Sequence, residues 1–311
     1  MDLPRTATSP RLDVLVVGSV NLDTRYVLPA LVAPGETIQA LGSSRSGGGK
    51  GANQALAAAQ LGALTGLLAA VGPDAEPALS DLARADVDLS TIVHVDDVAT
   101  GTAVLLVAPD DNSIVIDPGA NARLAPAHVI EVDREREAPR VVLLQHEVPS
   151  AVVEQAVRTW SGRSTVILNP SPFRGVPADV VDRVDLLVMN RIELSQLLGT
   201  SEPRTVDEAS ALLGAAGLRQ AVVTLGADGV LVLADGAVSH IAGIRVDAVD
   251  TVGAGDAFLG ALGAALAQGR TLDDSCRFAA AAGSLAVTVE GARNTGLTGD
   301  AVRALLDRAA P

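Results

Sequence analysis

Aromatic residues are nearly missing from this chain of 311 residues: three Phe, one Trp and one Tyr make up 2% of it. Its core has to be built from Ala, Val and Leu, and a hydrophobic content of 48% supplies enough of them. Cysteine is down to one, Cys276, which excludes an intramolecular disulfide and a Cys-rich metal site. It falls in an Ala-rich helical run, reads as a small core residue, and suits a cytoplasmic protein. No stretch of eighteen or more apolar residues runs uninterrupted by charge, so nothing reads as a membrane span. Positive charge is short as well: 23 Lys and Arg stand against 37 Asp and Glu, a net charge of −14. That balance argues against nucleic acid or anionic membrane as a partner. It also means that an anionic ligand needs local help from helix N-termini, a lysine or a metal ion.

Glycine, by contrast, is plentiful, and it gathers in two places. Residues 250–258 read D-T-V-G-A-G-D-A-F. An alternating run over 243–249 predicts a strand before them, and Ala/Leu/Gly periodicity predicts a helix from Ala254. Gly253, Ala254 and Gly255 then lie at a helix N-terminus, where bare backbone N–H groups converge with the positive end of the helix dipole. Asp256 sits in the floor of that anion hole. A carboxylate there is ill-suited to holding phosphate and well-suited to taking a proton from a hydroxyl that attacks phosphate. A simple helix cap uses the same residue types, so both readings stand. The second cluster is Gly47-Gly48-Gly49-Lys50-Gly51, ahead of a helix predicted over 52–61. It is not a Walker loop, because Gly follows the lysine. It reads as a close approach of backbone to ligand, or as a hinge.

The rest alternates strand and helix. Strands are predicted over 12–17, 64–71, 140–145, 165–168, 186–189 and 221–225, with helices over 74–85, 150–159, 206–215 and from Arg191, Leu272 and Gly299. This is the pattern of a mostly parallel sheet covered on both faces, an α/β fold in three αβα layers. Two excursions break the rhythm. Residues 25–41 carry Pro29, Pro34 and Gly35, and the expectation is a turn between two short strands. Residues 98–117 read as a hairpin. Together they predict a small β-sheet lid, with 11–24, 42–97 and 118–311 as the core. Asn21, Asp23, Glu147, Asn169, Asn190 and Thr224 all fall at or just past the carboxyl ends of predicted strands, where open α/β sheets bind ligands. Asn21 and Asp23, two apart, project to one side of an extended segment and suit a pair of sugar hydroxyls, although Asn and Asp also favour plain turns. His94, His128, His146 and His240 show no metal spacing and read as structural or solvent-facing.

At this point the chain resembles the ribokinase-like carbohydrate kinases of the phosphofructokinase B type. The resemblance runs from about Asp13 to about Asp307. It is carried by G-G-K-G-A-N-Q-A at 48–55, D-T-V-G-A-G-D-A-F at 250–258, N-R-I-E at 190–193 and V-T-L-G-A-D-G at 223–229. G-S-V-N-L-D at 18–23, P-G-E-T at 34–37, T-G-T-A at 100–103, P-G-A-N-A-R-L at 118–124 and L-N-P-S-P at 168–172 narrow it to the ribose-phosphorylating members. The resemblance implies phosphoryl transfer from ATP to a sugar hydroxyl. Asn21, Asp23, Gly49, Lys50, Asn53 and Glu147 would contact the sugar, with Asp256 as base. Gly253, Ala254 and Gly255 would bind the phosphoryl group. Asn190 and Glu193 would organise Mg²⁺ and its waters, and Thr224, Gly226 and Gly229 would line the nucleotide site. It further implies a K⁺ site at Asp250, Val252, Ala286, Val289, Gly291 and Thr295, and a homodimer formed through the lid. Ala280 stands where relatives often carry His or Asn beside the adenine. Another sugar, a nucleoside, or a non-catalytic sensor on the same scaffold are the alternatives.

Overall fold

The first buried strand, β1 (Val14–Val17), points apolar side chains both ways, and the two faces belong to different cores. In the computed structural model, which describes residues 10–109, 111–294 and 296–309, the chain leaves β1 for β2 (Asn21–Val27) and β3 (Gly42–Gly48). It returns through α1 (Lys50–Gln60), β4 (Thr65–Leu68), β5 (Ala70–Val71), α2 (Glu76–Arg84) and β6 (Val93–His94). A second departure forms β7 (Gly101–Val107) and β8 (Asn112–Asp117). Then follow α3 (Pro126–Glu135), β9 (Val141–Gln145), α4 (Ser150–Trp160), β10 (Thr165–Asn169), α5 (Ala178–Val181), β11 (Leu186–Asn190), α6 (Arg191–Leu198) and α7 (Val206–Ala215). The chain ends through β12 (Ala221–Thr224), β13 (Val230–Ala234), β14 (Ala237–Ile241), α8 (Ala254–Ala267), α9 (Leu272–Ala286) and α10 (Gly299–Ala309).

Eight strands form the main sheet in the order β14-β13-β12-β11-β10-β9-β1-β4, parallel except at β12–β13 and β13–β14. Alternation with period 2 divides each central strand between the layers. Val14, Val16, Val141 and Leu143 face α1, α2, α8, α9 and α10, while Leu15, Val17, Val142 and Leu144 face α3 to α7. This is the expected three-layer αβα architecture. The shortage of aromatics leaves the first layer to small residues. At Gly260 of α8 an added Cβ would lie 2.5 Å from the Gln54 carbonyl oxygen and 2.6 Å from Ala57 Cβ, so α1 and α8 pack backbone to backbone. That closeness brings Asn53 and Gln54 to Asp256.

The small sheet of the expected lid is present, four strands in the order β3-β2-β7-β8. Its strands begin earlier and end later than the expected 25–41 turn: β2 pairs with β3 from Asn21↔Gly48 to Val27↔Gly42, and 28–41 is an irregular connection. Pro29 and Pro34 cannot donate to a ladder, whereas the Ser/Gly-rich β3 has every amide free to pair. Asn21 and Asp23 therefore stand on this sheet. The predicted strand over 64–71 is broken in two at Ala69. The strand expected over 243–249 is not formed; 242–248 carries no regular secondary structure. An added Cβ on Gly243 would lie 2.1 Å from the Ala227 carbonyl oxygen, so the segment crosses the β12–β13 turn instead of joining the sheet. Its alternation reflects Ile244 and Val246 packing against the first core. Among the described residues no helix is long and apolar enough to cross a membrane.

Candidate active site

Asp256 occupies the first turn of α8 and is 7% exposed. Asn53 Nδ2 donates to its Oδ2 at 3.1 Å, and Gln54 Nε2 donates to Oδ1 at 2.9 Å. Gln145, at the end of β9, donates to Gln54 Oε1 at 2.8 Å and so fixes which way that amide faces. The helix begins at Gly253, left-handed with φ 79°, where a side chain would collide with the Ala292 carbonyl oxygen at 2.4 Å. Ala254 N–H reaches the Thr251 carbonyl only at 3.4 Å, and the next bond is Ala257 N–H to Gly253 O at 2.9 Å, so the first-turn N–H groups at Gly255 and Asp256 lie ahead of the regular helical ladder. At Gly255 an added Cβ would meet nothing within 4 Å, so this rim is open to a ligand.

The opposite wall comes from the β1–β2 turn and the glycine cluster. Asp23 and Asn21 lie on one face of β2. Asn121 Nδ2 donates to Asn21 Oδ1 at 2.8 Å, and Asn121 also binds the Val20 backbone on both sides. Burial pushes the Asp23 carboxyl up to about 6; Arg293 opposes this, and the charges of Glu147 and Asp256 reinforce it. Its Oδ1 is buried with no hydrogen-bond partner among the described residues, and Gly48 supplies the room, since a Cβ there would lie 2.0 Å from the carboxylate. Gly49 is the residue before α1, and Lys50 starts it. Glu147 Oε2 accepts from the Lys50 backbone N–H at 2.9 Å and from Ser19 Oγ at 2.5 Å. Burial alone would lower the Lys50 ammonium, but Asp256, Glu147 and Glu193 outweigh it and hold it above its ordinary range. Lys50 thus feels the negative charge of Asp256, Glu147 and Glu193 beside the N-terminus of α8.

Along the carboxyl edge of the sheet, Asn190 pairs in register with Thr224. Asn190 and Glu193 form a reciprocal cap at the start of α6: Glu193 N–H donates to Asn190 Oδ1 at 2.8 Å and Asn190 N–H to Glu193 Oε2 at 2.9 Å. Asn169 Nδ2 reaches the same Oε2 at 3.4 Å. Thr224 Oγ1 donates to the Met189 carbonyl at 3.4 Å. Gly226 and Gly229 bracket a short turn, both with positive φ. Among the described residues no group of three or more His, Cys, Asp or Glu could hold a metal ion. The side-chain oxygens of Asn190, Glu193 and Asn169 are hard donors of the kind Mg²⁺ takes, mostly through waters. Asp250 ties two loops together, accepting from Val252 N–H at 3.0 Å and Gly291 N–H at 3.1 Å. Ala286 ends α9 and Val289 lies between these anchors, so the backbone segments assigned to K⁺ are neighbours; Thr295 lies outside the described residues. His146 is buried, and burial with the nearby Arg174 keeps its ring below the ordinary range, consistent with a structural residue.

Sequence reasoning passed over Ser19, Gln54, Asn121, Gln145 and Arg293. Gln54 adjoins Asn53, so a helix over 52–61 placed it within reach of the same carboxylate. Arg293 is 240 positions from its partner Asn53, and no local pattern marks it.

A glycine-lined helix N-terminus with a buried carboxylate, at the carboxyl edge of an αβα sheet and under a small second sheet, defines a sugar-kinase class. Residues 11–298 match the pfkB family carbohydrate kinases, and the chain belongs to that family. It is similar to the ribokinase of Haemophilus influenzae, 33% identical over 294 residues covering 92% of this chain and 95% of the relative. The ribokinase of Bacillus subtilis is 34% identical over 297 residues, covering 94% and 99%. The solved structure of Arabidopsis thaliana ribokinase complexed with ribose and ATP superposes with a TM-score of 0.86 at 32% identity, covering 96% of this chain and 99% of that one.

Proposed function

We propose that this chain is an ATP-dependent sugar kinase that phosphorylates D-ribose at its primary hydroxyl, giving ribose 5-phosphate and ADP. The observation that carries the reading is the buried Asp256 carboxylate, held by two amides at the N-terminus of α8. The relatives' ribokinase activity, and the ribose and ATP bound in the Arabidopsis structure, supply the substrates.

Asn21, Asp23, Gly49, Lys50, Asn53 and Glu147 hold the sugar so that its primary hydroxyl meets Asp256. Asp256 accepts the hydroxyl proton as the oxygen forms its bond to the γ-phosphorus of ATP. The bond from that phosphorus to the β-bridging oxygen breaks, and ADP leaves. The N–H groups of Gly253, Ala254 and Gly255 stabilise charge spreading over the phosphoryl oxygens. Lys50 adds a fixed positive charge that the chain as a whole lacks. Thr224, Gly226 and Gly229 line the nucleotide site. Asn190 and Glu193 would hold Mg²⁺ through its waters, and the metal would neutralise phosphate charge. The 250–252 and 286–291 backbones would hold K⁺. The small sheet closes over the sugar and excludes water. Its edge strand β8 exposes Ile114, Val115 and Ile116, an open apolar edge that favours pairing with a second copy of the chain. The single buried Cys276 suits the cytoplasm.

The test is ADP release from ATP in the presence of ribose, deoxyribose, ketohexoses and nucleosides, each with K⁺ and with a bulky organic cation in its place. Release should be fastest with ribose and should rise with K⁺. Preference for another sugar would move the substrate, and indifference to K⁺ would remove the cation site. Ribose binding with no ADP release would mean a sensor.

A further inference from the structure

The loop after α9 inserts one cation into the protein for which no part of the proposed chemistry accounts. The Arg293 side chain is 5% exposed. Nε donates to Asn53 Oδ1 at 3.0 Å, Nη1 to the Ala78 carbonyl at 2.8 Å and Nη2 to the Gly48 carbonyl at 3.0 Å. The nearest carboxylate, Asp81, is 3.7 Å away. That is a loose ion pair, so the three directed hydrogen bonds define the position. β3 is shaped for it: a Cβ on Gly47 would lie 2.2 Å from Nη1. Successive β3 residues thus vacate space on opposite faces, Gly47 for Arg293 and Gly48 for the Asp23 carboxylate.

Two of the three acceptors lead into the site. The two ends of an Asn amide are alike in shape, so its orientation is set by its partners. A guanidinium can only donate, and an ionised carboxylate can only accept. Asn53 stands between one of each, and only one orientation satisfies both: oxygen toward Arg293, NH₂ toward Asp256. Reversed, the amide would set donor against donor on one side and oxygen against carboxylate on the other. The Gly48 carbonyl, meanwhile, belongs to the residue against which the Asp23 carboxylate rests.

We propose that Arg293 is a positioning residue for phosphoryl transfer, orienting the Asp256 carboxylate through the Asn53 amide and fixing the Gly48 backbone beneath Asp23. This rests on the function proposed above. Arg293→Lys and Arg293→Gln are compared with the parent and with Asn53→Ala, singly and combined, so that misfolding of one variant leaves the other readable. A lysine keeps the charge near Asp81 but cannot span three divergent acceptors. Arg293→Lys should therefore lower kcat by roughly 10- to 100-fold and raise KM for ribose, with KM for ATP unchanged, as misplacement of reacting groups does. In the Asn53→Ala background the same change should lower kcat by less than about threefold, because its effect on Asp256 runs through Asn53, while the rise in KM for ribose, which runs through Gly48, should persist. A kcat in Arg293→Lys equal to the parent's, or kcat losses that multiply independently in the double variant, would overturn the proposal. The ¹⁵N-labelled side-chain amide of Asn53 gives a readout that needs no turnover. Its protons should exchange slowly in the parent and at least about tenfold faster in Arg293→Lys, as expected when a buried bond is lost. Unchanged exchange would overturn the proposal even if no sugar were turned over, whereas an inactive parent with the expected exchange would contradict only the assigned reaction.

Discussion

Asp23 is the residue whose chemistry and stability pull against each other. Its carboxyl titrates at about 6 in the folded protein, against an ordinary 3.8, chiefly because it is buried. The folded state therefore holds the proton more tightly than the unfolded chain between those two values. The sign follows: the contribution of Asp23 to stability falls as pH rises from 3.8 to about 6, and above that the buried charge costs stability. The cost is on the order of 3 kcal/mol, before solvent access reduces it. Asp23→Asn should thus raise the melting temperature at pH 7.5 and lose that advantage near pH 4, and it should weaken ribose binding most above pH 6, where the parent carries the carboxylate. A melting difference independent of pH would contradict this origin. In the parent, ribose affinity should fall as pH drops through 6, where the carboxylate takes up its proton. Gln145 and Arg293 could not be found from the sequence, because their roles are contacts between distant segments. Asp256 stands out in the sequence because the glycines that open α8 are its neighbours in the chain, although its hydrogen-bond partners Asn53 and Gln54 lie 203 and 202 positions away.

Among the elements, the α1–α8 contact sets the position of the candidate base. Gly260→Val would force a side chain into the Gln54 carbonyl and Ala57, so the helices must separate. The expected cost is about 1–3 kcal/mol, read as a lower melting temperature, with kcat falling more than KM as the Asn53 and Gln54 bonds to Asp256 lengthen. Unchanged melting and turnover would mean that the contact is loose. Central strands and long helices were evident from periodicity, since a strand buried on both faces is an unbroken run of Val and Leu. β3 was not: Gly-Ser-Ser-Arg-Ser-Gly-Gly carries no apolar pattern and is a strand only because β2 pairs with it. The 243–249 run failed in the opposite way. It alternates because one side is buried, yet the turn it crosses denies it a ladder.

In the function proposed, the whole molecule binds a polyanion while carrying a net charge of −14. The proposed answer to that demand is local, at the N-terminus of α8 and the Lys50 ammonium, while the buried Arg293 is engaged with Asn53 and the Gly48 carbonyl. The second demand at this scale is the open edge of the small sheet. Val115→Lys should shift sedimentation from dimer to monomer and raise KM for ribose, because the lid loses its support; a dimer that persists would place the interface elsewhere. Both proposals presuppose that Asp256 does the chemistry, and steady-state ADP release with ribose is the direct test. Asp256→Asn keeps the shape of the side chain and removes the base. It should bind ribose with near-parent affinity while kcat falls by roughly 10²- to 10⁴-fold. Turnover in Asp256→Asn within a few-fold of the parent would contradict the account.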